Sequence, residues 1–236
     1  MIQIENIFKK YNQQQVLNNF SIDFKANECI ALIGPNGCGK TTLIKSILGM
    51  VLPDSGSIKV LGQNIKNNDL YRDQIGYMPQ IGRYPENMSI GQIFDMIQDI
   101  RKSERTLDKE LYDEYKLESI LHKNMRTLSG GTTQKVSAAL AFLFNPLIYI
   151  LDEPTAGLDP LASEILKNKM MREKKENKLT LITSHLLTDL DDLITSIVFM
   201  QEGNLIFHRS VEDLKNKTGE DKISKAIAKV LKEEVK

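Results

Sequence analysis

The sequence lacks several features that would indicate other classes of protein. Only two cysteines occur in 236 residues, which excludes a disulfide framework. The 31 basic and 31 acidic residues leave a formal net charge of zero, which argues against a protein that binds nucleic acid non-specifically. No apolar run reaches the roughly 18–20 residues that span a bilayer, and the first residues, MIQIENIFKK, show no signal-peptide pattern. These absences predict a cytosolic globular chain, unless a partner holds it at a membrane.

The most informative feature that is present is a glycine-rich motif directly after an apolar segment. Residues 34–41 read GPNGCGKT, which fits the pattern GxxxxGK[ST], and they follow the apolar run 29–33. A strand, a glycine-rich turn and a helix in this order surround an anion with backbone N–H groups and a helix N-terminus. Lys40 supplies a charge for the β- and γ-phosphates, and the Thr41 hydroxyl can ligate Mg²⁺. The motif therefore predicts a site for a nucleoside triphosphate. Its predicted binding residues are Gly34, Pro35, Asn36, Gly37, Cys38, Gly39, Lys40, Thr41 and Thr42.

The order of apolar segments predicts an α/β fold. Segments that suit strands alternate with amphipathic helices, which favours a mainly parallel sheet with helices on both faces. A helical stretch, residues 82–145, interrupts this alternation and is interpreted as an inserted subdomain. The predicted strands are 2–8, 20–24, 29–33, 57–60, 75–77, 147–151, 179–183, 195–200 and 205–207. The predicted helices are 40–50, 90–100, 107–115, 133–144, 160–176 and 186–192.

The end of the chain predicts a separate element. Residues 1–219 are expected to form the main domain, and residues 220–236 an amphipathic helix. Its apolar face can pack on the rest of the chain or contact a partner subunit, and we favour packing on the chain itself. The apolar residues on this face are Ile223, Ala226, Ile227, Val230 and Leu231.

A second candidate motif ends another apolar segment. Residues 147–153 read LIYILDE, which suits a buried strand that presents Asp152 and Glu153 at its C-terminal end. Ligands bind at this end of the strands in open α/β sheets. Asp152 fits a carboxylate that holds Mg²⁺ through water, and Glu153 is placed to polarise the water that attacks a γ-phosphate. The alternative is that both are surface acids or helix-capping residues.

A third motif completes a recognisable set. Residues 128–134 read LSGGTTQ, which suits an anion-binding turn before a helix or an ordinary helix cap. With YMPQ ending at Gln80, AGLD ending at Asp159 and TSH ending at His185, the chain resembles the ATP-binding subunits of ABC transporters from residue 1 to about residue 210. The resemblance implies a P-loop NTPase fold with a mainly parallel sheet core, an antiparallel β subdomain and an inserted helical subdomain.

The same resemblance implies roles for individual residues. Tyr11 matches the aromatic residue that stacks on adenine, although a half-buried surface tyrosine would look the same. Gln80 matches the glutamine that contacts Mg²⁺ and the attacking water, and His185 matches the histidine that contacts the γ-phosphate. Asp159 matches a loop that communicates across a dimer, and it also suits an N-cap before Pro160. The implied catalytic residues are Glu153, His185, Gln80 and Lys40, and the implied Mg²⁺ ligands are Thr41, Gln80 and Asp152.

The resemblance also implies a mechanism and partners. Two copies would pair head to tail, so that the phosphate loop of one and Ser129, Gly130 and Gly131 of the other enclose each ATP. ATP hydrolysis would power transport through a separate membrane subunit at the cytoplasmic face of the membrane. The signature region is more similar to exporters of the ABC-2 type, and among them to subunits linked to copper-dependent nitrous oxide reductase maturation. The alternative is a soluble ABC ATPase that acts on ribosomes, nucleic acid or cofactor assembly. Two positions depart from the commonest family pattern, Thr132 and Cys38, and neither removes a required chemical group.

Overall fold

A computed structural model describes residues 1–101, 106–174, 176–184 and 191–234. Within these ranges, four strands form an antiparallel sheet in the order β2-β1-β4-β5. Alternate residues of its first strands are buried, as the apolar-polar alternation of the sequence predicts. The bounds are β1 (Ile2–Tyr11), β2 (Gln14–Phe24), β4 (Ser55–Val60) and β5 (Gln63–Asn64).

A second sheet forms the centre of the described part of the chain and contains six strands in the order β10-β9-β3-β8-β7-β6. Five of these strands are parallel, and β10 pairs antiparallel with β9 at one edge. The parallel strands are almost continuously apolar, as is usual where both faces of a sheet are covered. The bounds are β3 (Glu28–Ile33), β6 (Ile75–Met78), β7 (Ile148–Asp152), β8 (Leu179–Thr183), β9 (Ser196–Gln201) and β10 (Asn204–Ser210).

Helices cover the six-stranded sheet on both faces. The first helix packs with the antiparallel sheet against one face, and the remaining helices pack against the other. Neighbouring residues of β3 show this division, since Ala31 belongs to one apolar cluster and Ile30 and Leu32 belong to the other. The bounds are α1 (Lys40–Ile47), α2 (Ile90–Arg101), α3 (Glu110–Glu114), α4 (Gly130–Phe142), α5 (Pro160–Glu173), α6 (Val211–Thr218) and α7 (Ile223–Glu234).

This architecture confirms the α/β fold class, with a largely parallel sheet and an additional antiparallel sheet. Helices α2 to α4 lie between β6 and β7 in the chain, where the helical stretch was predicted. The apolar face of α7 packs into the same cluster as the core helices, because Ile223, Ala226, Ile227 and Val230 are all buried there. In the described ranges, no helix combines the length and the hydrophobicity that a membrane span requires.

Several boundaries differ from the predictions for identifiable reasons. Strand β2 begins at Gln14 instead of residue 20, because its pairing with β1 continues on both sides of the left-handed Asn19 (φ 48°). Asn19 forms an irregularity within the strand and does not end it. Helix α1 ends at Ile47 instead of residue 50, because the left-handed Gly49 (φ 68°) stops it. Helix α4 begins at Gly130 instead of residue 133, because Ser129 caps its N-terminus.

Other elements were not expected or were expected to be longer. The short strand β5 and helix α6 were absent from the prediction. Helix α3 covers only Glu110–Glu114, because residues 106–109 are not helical and Asp108 N–H donates to Leu143 O at 2.7 Å. Helix α5 ends at Glu173 instead of residue 176, and the left-handed Asn177 (φ 59°) follows within the turn before β8. The helix predicted at 186–192 lies mostly outside the described residues.

Candidate nucleotide-binding site

A cavity of about 510 Å³ opens where the parallel strands β3, β7 and β8 end. Ligands bind at this edge in open α/β sheets. Segments that are distant in sequence meet in the cavity. They are the end of β1, the start of β2, the loop before α1, the second residue after β6 and the ends of β7 and β8. Its lining residues are Tyr11, Gln14, Val16, Asn36, Gly37, Gly39, Lys40, Thr41, Thr42, Gln80, Asp152, Glu153 and Thr183.

The glycine-rich loop fits its surroundings only with glycine at two positions. Gly34 has φ 152°, and a Cβ atom there would lie 2.1 Å from the carbonyl oxygen of Met200. Gly39 has φ 110°, and its Cβ would lie 2.6 Å from the carbonyl oxygen of Val16. Both distances are shorter than any real Cβ atom shows, so only glycine lets the loop pack this closely against β2 and β9. The loop is thus held in place by the backbones of both sheets.

Lys40 lies across this loop. Its Nζ donates to Gly34 O at 2.7 Å and to Pro35 O at 3.0 Å, and it lies 3.8 Å from Cys38 Sγ. Gly34, Pro35 and Cys38 belong to the loop but do not line the cavity. Cys38 itself is buried, and its carbonyl accepts from Gly203 N–H at 3.0 Å. The ammonium group of Lys40 and the first turn of α1 give this wall of the cavity a positive potential.

Two carboxylates at the end of β7 also line the cavity. Asp152 is the last residue of that strand, and the Thr183 hydroxyl donates a short hydrogen bond to its Oδ1. Glu153 follows with a left-handed backbone, φ 51°. Its N–H donates to Thr183 O at 3.1 Å and to Thr183 Oγ1 at 3.2 Å, and its carbonyl accepts from Ala156 N–H at 3.1 Å. Such a conformation costs about 1–3 kcal/mol and persists only where neighbouring groups fix it, often at functional sites.

The oxygen groups around the cavity fit a magnesium ion. Thr41 is the second residue of α1, Gln80 is exposed two residues after β6, and Asp152 ends β7. All three residues line the cavity. Mg²⁺ prefers oxygen ligands and usually takes only one or two carboxylates from the protein, with water and phosphate oxygens completing the octahedron. One carboxylate, one hydroxyl and one amide oxygen therefore suit this ion when phosphates occupy the same cavity.

Tyr11 lies at the rim of the cavity. It is the last residue of β1, its side chain is 44% exposed, and Lys9 Nζ lies 5.5 Å from its ring centroid. An exposed aromatic face beside a phosphate-binding loop is able to stack on a nucleobase. Gln14 and Val16, which the sequence pattern did not indicate, also line the cavity.

The third motif does not reach this cavity. Ser129 caps α4, because its Oγ accepts from Thr132 N–H at 3.2 Å. Ser129 and Gly130 are exposed, and a Cβ atom on Gly130 would meet no atom of the described residues within 4 Å. Gly131 is half-buried, and its Cβ would lie 2.7 Å from Gly157 O. The N-terminus of α4 thus faces outward from the described part of the chain.

Asp159 also lies outside the cavity. It caps α5 as its position before Pro160 predicts, since its Oδ1 accepts from Ala162 N–H at 2.9 Å. Its Oδ2 accepts from Lys135 Nζ at 2.6 Å. The hydrogen bond from Lys135, followed by that from Ala162, holds the pKa of the Asp159 carboxyl below its usual value. Asp159 therefore connects α4 to the loop that follows Glu153.

The structure thus brings together Tyr11, the phosphate loop, Gln80, Asp152 and Glu153, and it separates them from Ser129, Gly130, Gly131 and Asp159. His185 lies outside the described residues. Sequence reasoning missed Thr183, which binds both carboxylate-bearing residues through Asp152 Oδ1 and Glu153 N–H. It also missed Gln134, whose Nε2 donates to Glu153 O at 3.4 Å. Thr183 could have been found from the sequence, because it ends a predicted strand at the edge of the sheet where ligands bind.

The chain is similar to many proteins of one family. The family model described as "ABC transporter" matches residues 17–156. The chain is 34% identical to the uncharacterized ABC transporter ATP-binding protein YxlF of Bacillus subtilis (strain 168), over 91% of this chain and 72% of that protein. It is 30% identical to the ABC-type transporter ATP-binding protein EcsA of the same organism, over 93% of this chain and 91% of EcsA.

Solved structures give the same result. The chain matches a structure titled "Structure of ATP binding subunit of ABC transporter" with a TM-score of 0.89 and 28% identity, over 97% of this chain and 98% of that one. It also matches a nucleotide-free ATP-binding cassette from an ABC transporter with a TM-score of 0.76 and 25% identity, over 96% of this chain and 98% of the other. The phosphate loop, the paired carboxylates and these matches agree, and the chain belongs to the ABC transporter family as one of its ATP-binding ATPase subunits.

Proposed function

We propose that this subunit binds ATP with Mg²⁺ in the 510 Å³ cavity and hydrolyses it when two copies pair head to tail. The observation that carries the proposal is the separation of the two glycine-containing motifs. The phosphate loop lines the cavity, whereas Ser129 and Gly130 are exposed at a different helix N-terminus. A single chain therefore offers a nucleotide one phosphate-binding turn, and a second copy would supply the other.

Within the cavity, the residues divide the work by their chemistry. Lys40 and the N–H groups of residues 36–42 bind the phosphates, and Tyr11 stacks on the adenine ring. Glu153 acts as the general base that polarises the attacking water, and its fixed backbone holds the carboxylate at the end of β7. Thr41, Gln80 and Asp152 would hold Mg²⁺, and the ion would supply positive charge against the phosphates. Gln80 and His185 complete the proposed set that surrounds the γ-phosphate.

The second copy completes the site from outside. The N-terminus of α4 carries backbone N–H groups at Gly130 and Gly131 that have no partner within the helix, and it carries a positive dipole end. Both features favour a phosphate. Because Gly130 has open space around it, a nucleotide held by another copy can approach this backbone closely. ATP then joins the two copies through its γ-phosphate, and hydrolysis removes that link. This cycle of closing and opening is the motion that a transport partner would use.

We further propose a peripheral location at the cytoplasmic face of the membrane, through a separate membrane subunit. A groove of about 330 Å³ supports this location. It is lined by Leu48, Met50, Arg72, Ile75, Tyr77 and Arg101. Met50, which lines this groove, is 62% exposed. Ile100, which lines an adjoining groove that shares Tyr77 and Arg101, is 68% exposed. Exposed apolar side chains grouped around adjoining grooves suit a protein partner.

Export is the proposed direction of transport. Three relatives named "Nod factor export ATP-binding protein I", from species of Burkholderia, are 30% identical to this chain; the one from Burkholderia lata is aligned over 87% of this chain and 69% of its own length. We retain as a narrower proposal the similarity to ABC-2 type exporters and to subunits linked to copper-dependent nitrous oxide reductase maturation. The ATPase subunit contacts ATP and its partners, so the cargo depends on the membrane subunit.

The proposal is tested by identifying what the subunit binds. The Glu153→Gln variant is purified with ATP and Mg²⁺ from detergent-solubilised cells, and co-purifying proteins are identified by mass spectrometry. We expect a polytopic membrane protein. Adding Ile100→Asp, in the adjoining groove, should remove it, whereas Leu161→Asp on α5, a similarly exposed position (71%), should retain it. Ribosomes, nucleic acid or assembly scaffolds without a membrane protein would support the non-transport alternative instead.

A further inference from the structure

Helix α4 rests directly on the loop that begins with Glu153. At the start of the helix, a Cβ on Gly131 would lie 2.7 Å from Gly157 O, so the two backbones are in close contact. One turn later, Gln134 Nε2 donates to Glu153 O at 3.4 Å. The next residue, Lys135, pairs with Asp159 at 2.6 Å. Three contacts from one helix thus span residues 153–159, the whole segment between the candidate base and the cap of α5.

The Gln134 contact differs from the other two in its surroundings. Gln134 is 4% exposed, so water does not compete for its amide, whereas the Lys135–Asp159 pair is largely exposed and screened. Its acceptor is the carbonyl of Glu153, the residue with the left-handed backbone. Thr183 fixes Glu153 on the N–H side, and Gln134 together with Ala156 N–H fixes it on the carbonyl side. The strained conformation is therefore held from α4 and from β8 at the same time.

We propose that Gln134 is a positioning residue for ATP hydrolysis, which fixes the backbone of Glu153 from the helix whose N-terminus carries Ser129 and Gly130. This inference rests on the proposed function, because it assumes that Glu153 is the general base and that the N-terminus of α4 receives the nucleotide of a second copy. Gln134 then connects Glu153 to the helix whose N-terminus would receive the nucleotide of the second copy. Because Gln134 lies on α4 and donates to Glu153 O, a shift of α4 on contact with the second copy would also move the backbone of Glu153.

The test compares turnover and binding in variants of Gln134. Gln134→Met keeps an unbranched side chain of similar volume and removes the N–H donor. We expect kcat for ATP to fall about tenfold, the loss typical of one buried hydrogen bond. The KM for ATP, and the affinity for ATP measured by equilibrium binding, should remain within about twofold, because Gln134 does not line the cavity. Gln134→Asn, whose shorter amide cannot span the distance to Glu153 O, should show the same split.

The matched control is Ser137→Ala on the same helix. Ser137 is 1% exposed, and its hydroxyl bonds to Tyr84 OH at 2.9 Å, away from residues 153–159. This variant also loses one buried hydrogen bond of α4, so it reports the effect of merely loosening the helix. We expect its kcat to stay within about twofold of wild type.

The outcomes separate this inference from the function on which it rests. If wild type binds and hydrolyses ATP and both Gln134 variants keep its kcat, the positioning role is wrong while the proposed function stands. If kcat falls equally in Ser137→Ala, or if KM and melting temperature change together with kcat, Gln134 has only a structural role. A wild-type chain that neither binds nor hydrolyses ATP would overturn the proposed function and this inference with it.

Discussion

The glycine-containing turns before α1 and α4 look alike in sequence and differ in surroundings. The first is closed: Gly34 and Gly39 meet the carbonyls of Met200 and Val16, and Lys40 lies across the loop. The second is open, because a Cβ atom on Gly130 would have no neighbour within 4 Å in the described part of the chain, and no lysine follows within the motif's first turn.

This difference explains why one turn is a site by itself and the other is not. A closed loop with a charged lysine is preorganised and can bind phosphates without a second chain. An open helix N-terminus offers N–H groups and a dipole, but water competes for them until another surface covers it. In the proposed function, the two turns are the two halves of a site that two copies assemble.

The largest expected effect comes from the carboxylate beside the closed turn. Glu153→Gln should lower kcat about 10²- to 10⁴-fold, the usual contribution of a general base, with ATP affinity within about twofold. Phosphate release and equilibrium nucleotide binding measure the two quantities. The control is Glu202→Gln, since Glu202 also follows a strand with a left-handed backbone (φ 48°). Near-normal turnover in Glu153→Gln would remove this residue from the role of base.

The next effect concerns binding to the closed turn itself. Lys40→Ala should weaken ATP binding about 100-fold, because it removes a charge that the phosphates would otherwise pair with in a partly enclosed cavity. Lys45→Ala, an exposed basic position in the last turn of the same helix, should leave the affinity unchanged. Titration with a fluorescent ATP analogue measures both dissociation constants. Equal affinities for the two variants would contradict the role of the phosphate loop.

A smaller effect is expected from filling the open turn. Ser129→Arg places a long side chain where the second copy would dock, so turnover at saturating ATP should fall at least about tenfold. The ATP affinity of the single chain should not change, because Ser129 does not line the cavity. The control is Ser210→Arg, which removes an equivalent N-cap on α6, where Ser210 Oγ accepts from Asp213 N–H at 2.9 Å.

If both Ser129→Arg and Ser210→Arg retain full turnover, hydrolysis does not need the open turn. The proposal of a site shared between two copies would then be wrong. If the Ser129 variant loses ATP affinity as well, the open turn belongs to the same chain's cavity, which the geometry contradicts.

The smallest effect concerns the exposed pair that ties α4 to the loop after Glu153. Lys135 lowers the pKa of Asp159 below its unfolded value of about 3.9. The pair therefore contributes stability above about pH 4, and this contribution is lost as the pH falls through the lowered pKa. Asp159→Asn keeps the cap oxygen and removes the charge, so its melting temperature should lie slightly below wild type at pH 7. The two melting temperatures should converge as the pH falls below the lowered pKa of Asp159, and a difference that persists after the carboxyl is protonated would contradict the ion pair.

The sequence predicts well which residues meet in the cavity, and their chemical roles stay predictions. Lys40, Asp152 and Glu153 each follow an apolar strand, and parallel strands end at one edge of the sheet, so their meeting in one cavity is expected. The same reasoning predicts that Asp159 caps α5, because a carboxylate before a proline suits that position.

The sequence is less informative about features that depend on packing between residues distant in the chain. Strands β1 and β2 continue past the left-handed Asn6 and Asn19, because pairing between them outweighs the turn preference of asparagine. The hydrogen bonds of Gln134 and Thr183 to Glu153 join residues distant in the chain, and a single sequence carries no signal for such side-chain pairings. His185 stays a prediction.

The central claim is that ATP joins two copies through the open turn of each. The most direct measurement is the molar mass of Glu153→Gln by light scattering during size-exclusion chromatography, with and without ATP and Mg²⁺. We predict the mass of two chains with ATP and of one chain without it, and of one chain in both conditions when Ser129→Arg is added. A mass of one chain at ATP concentrations that saturate the cavity would contradict the account.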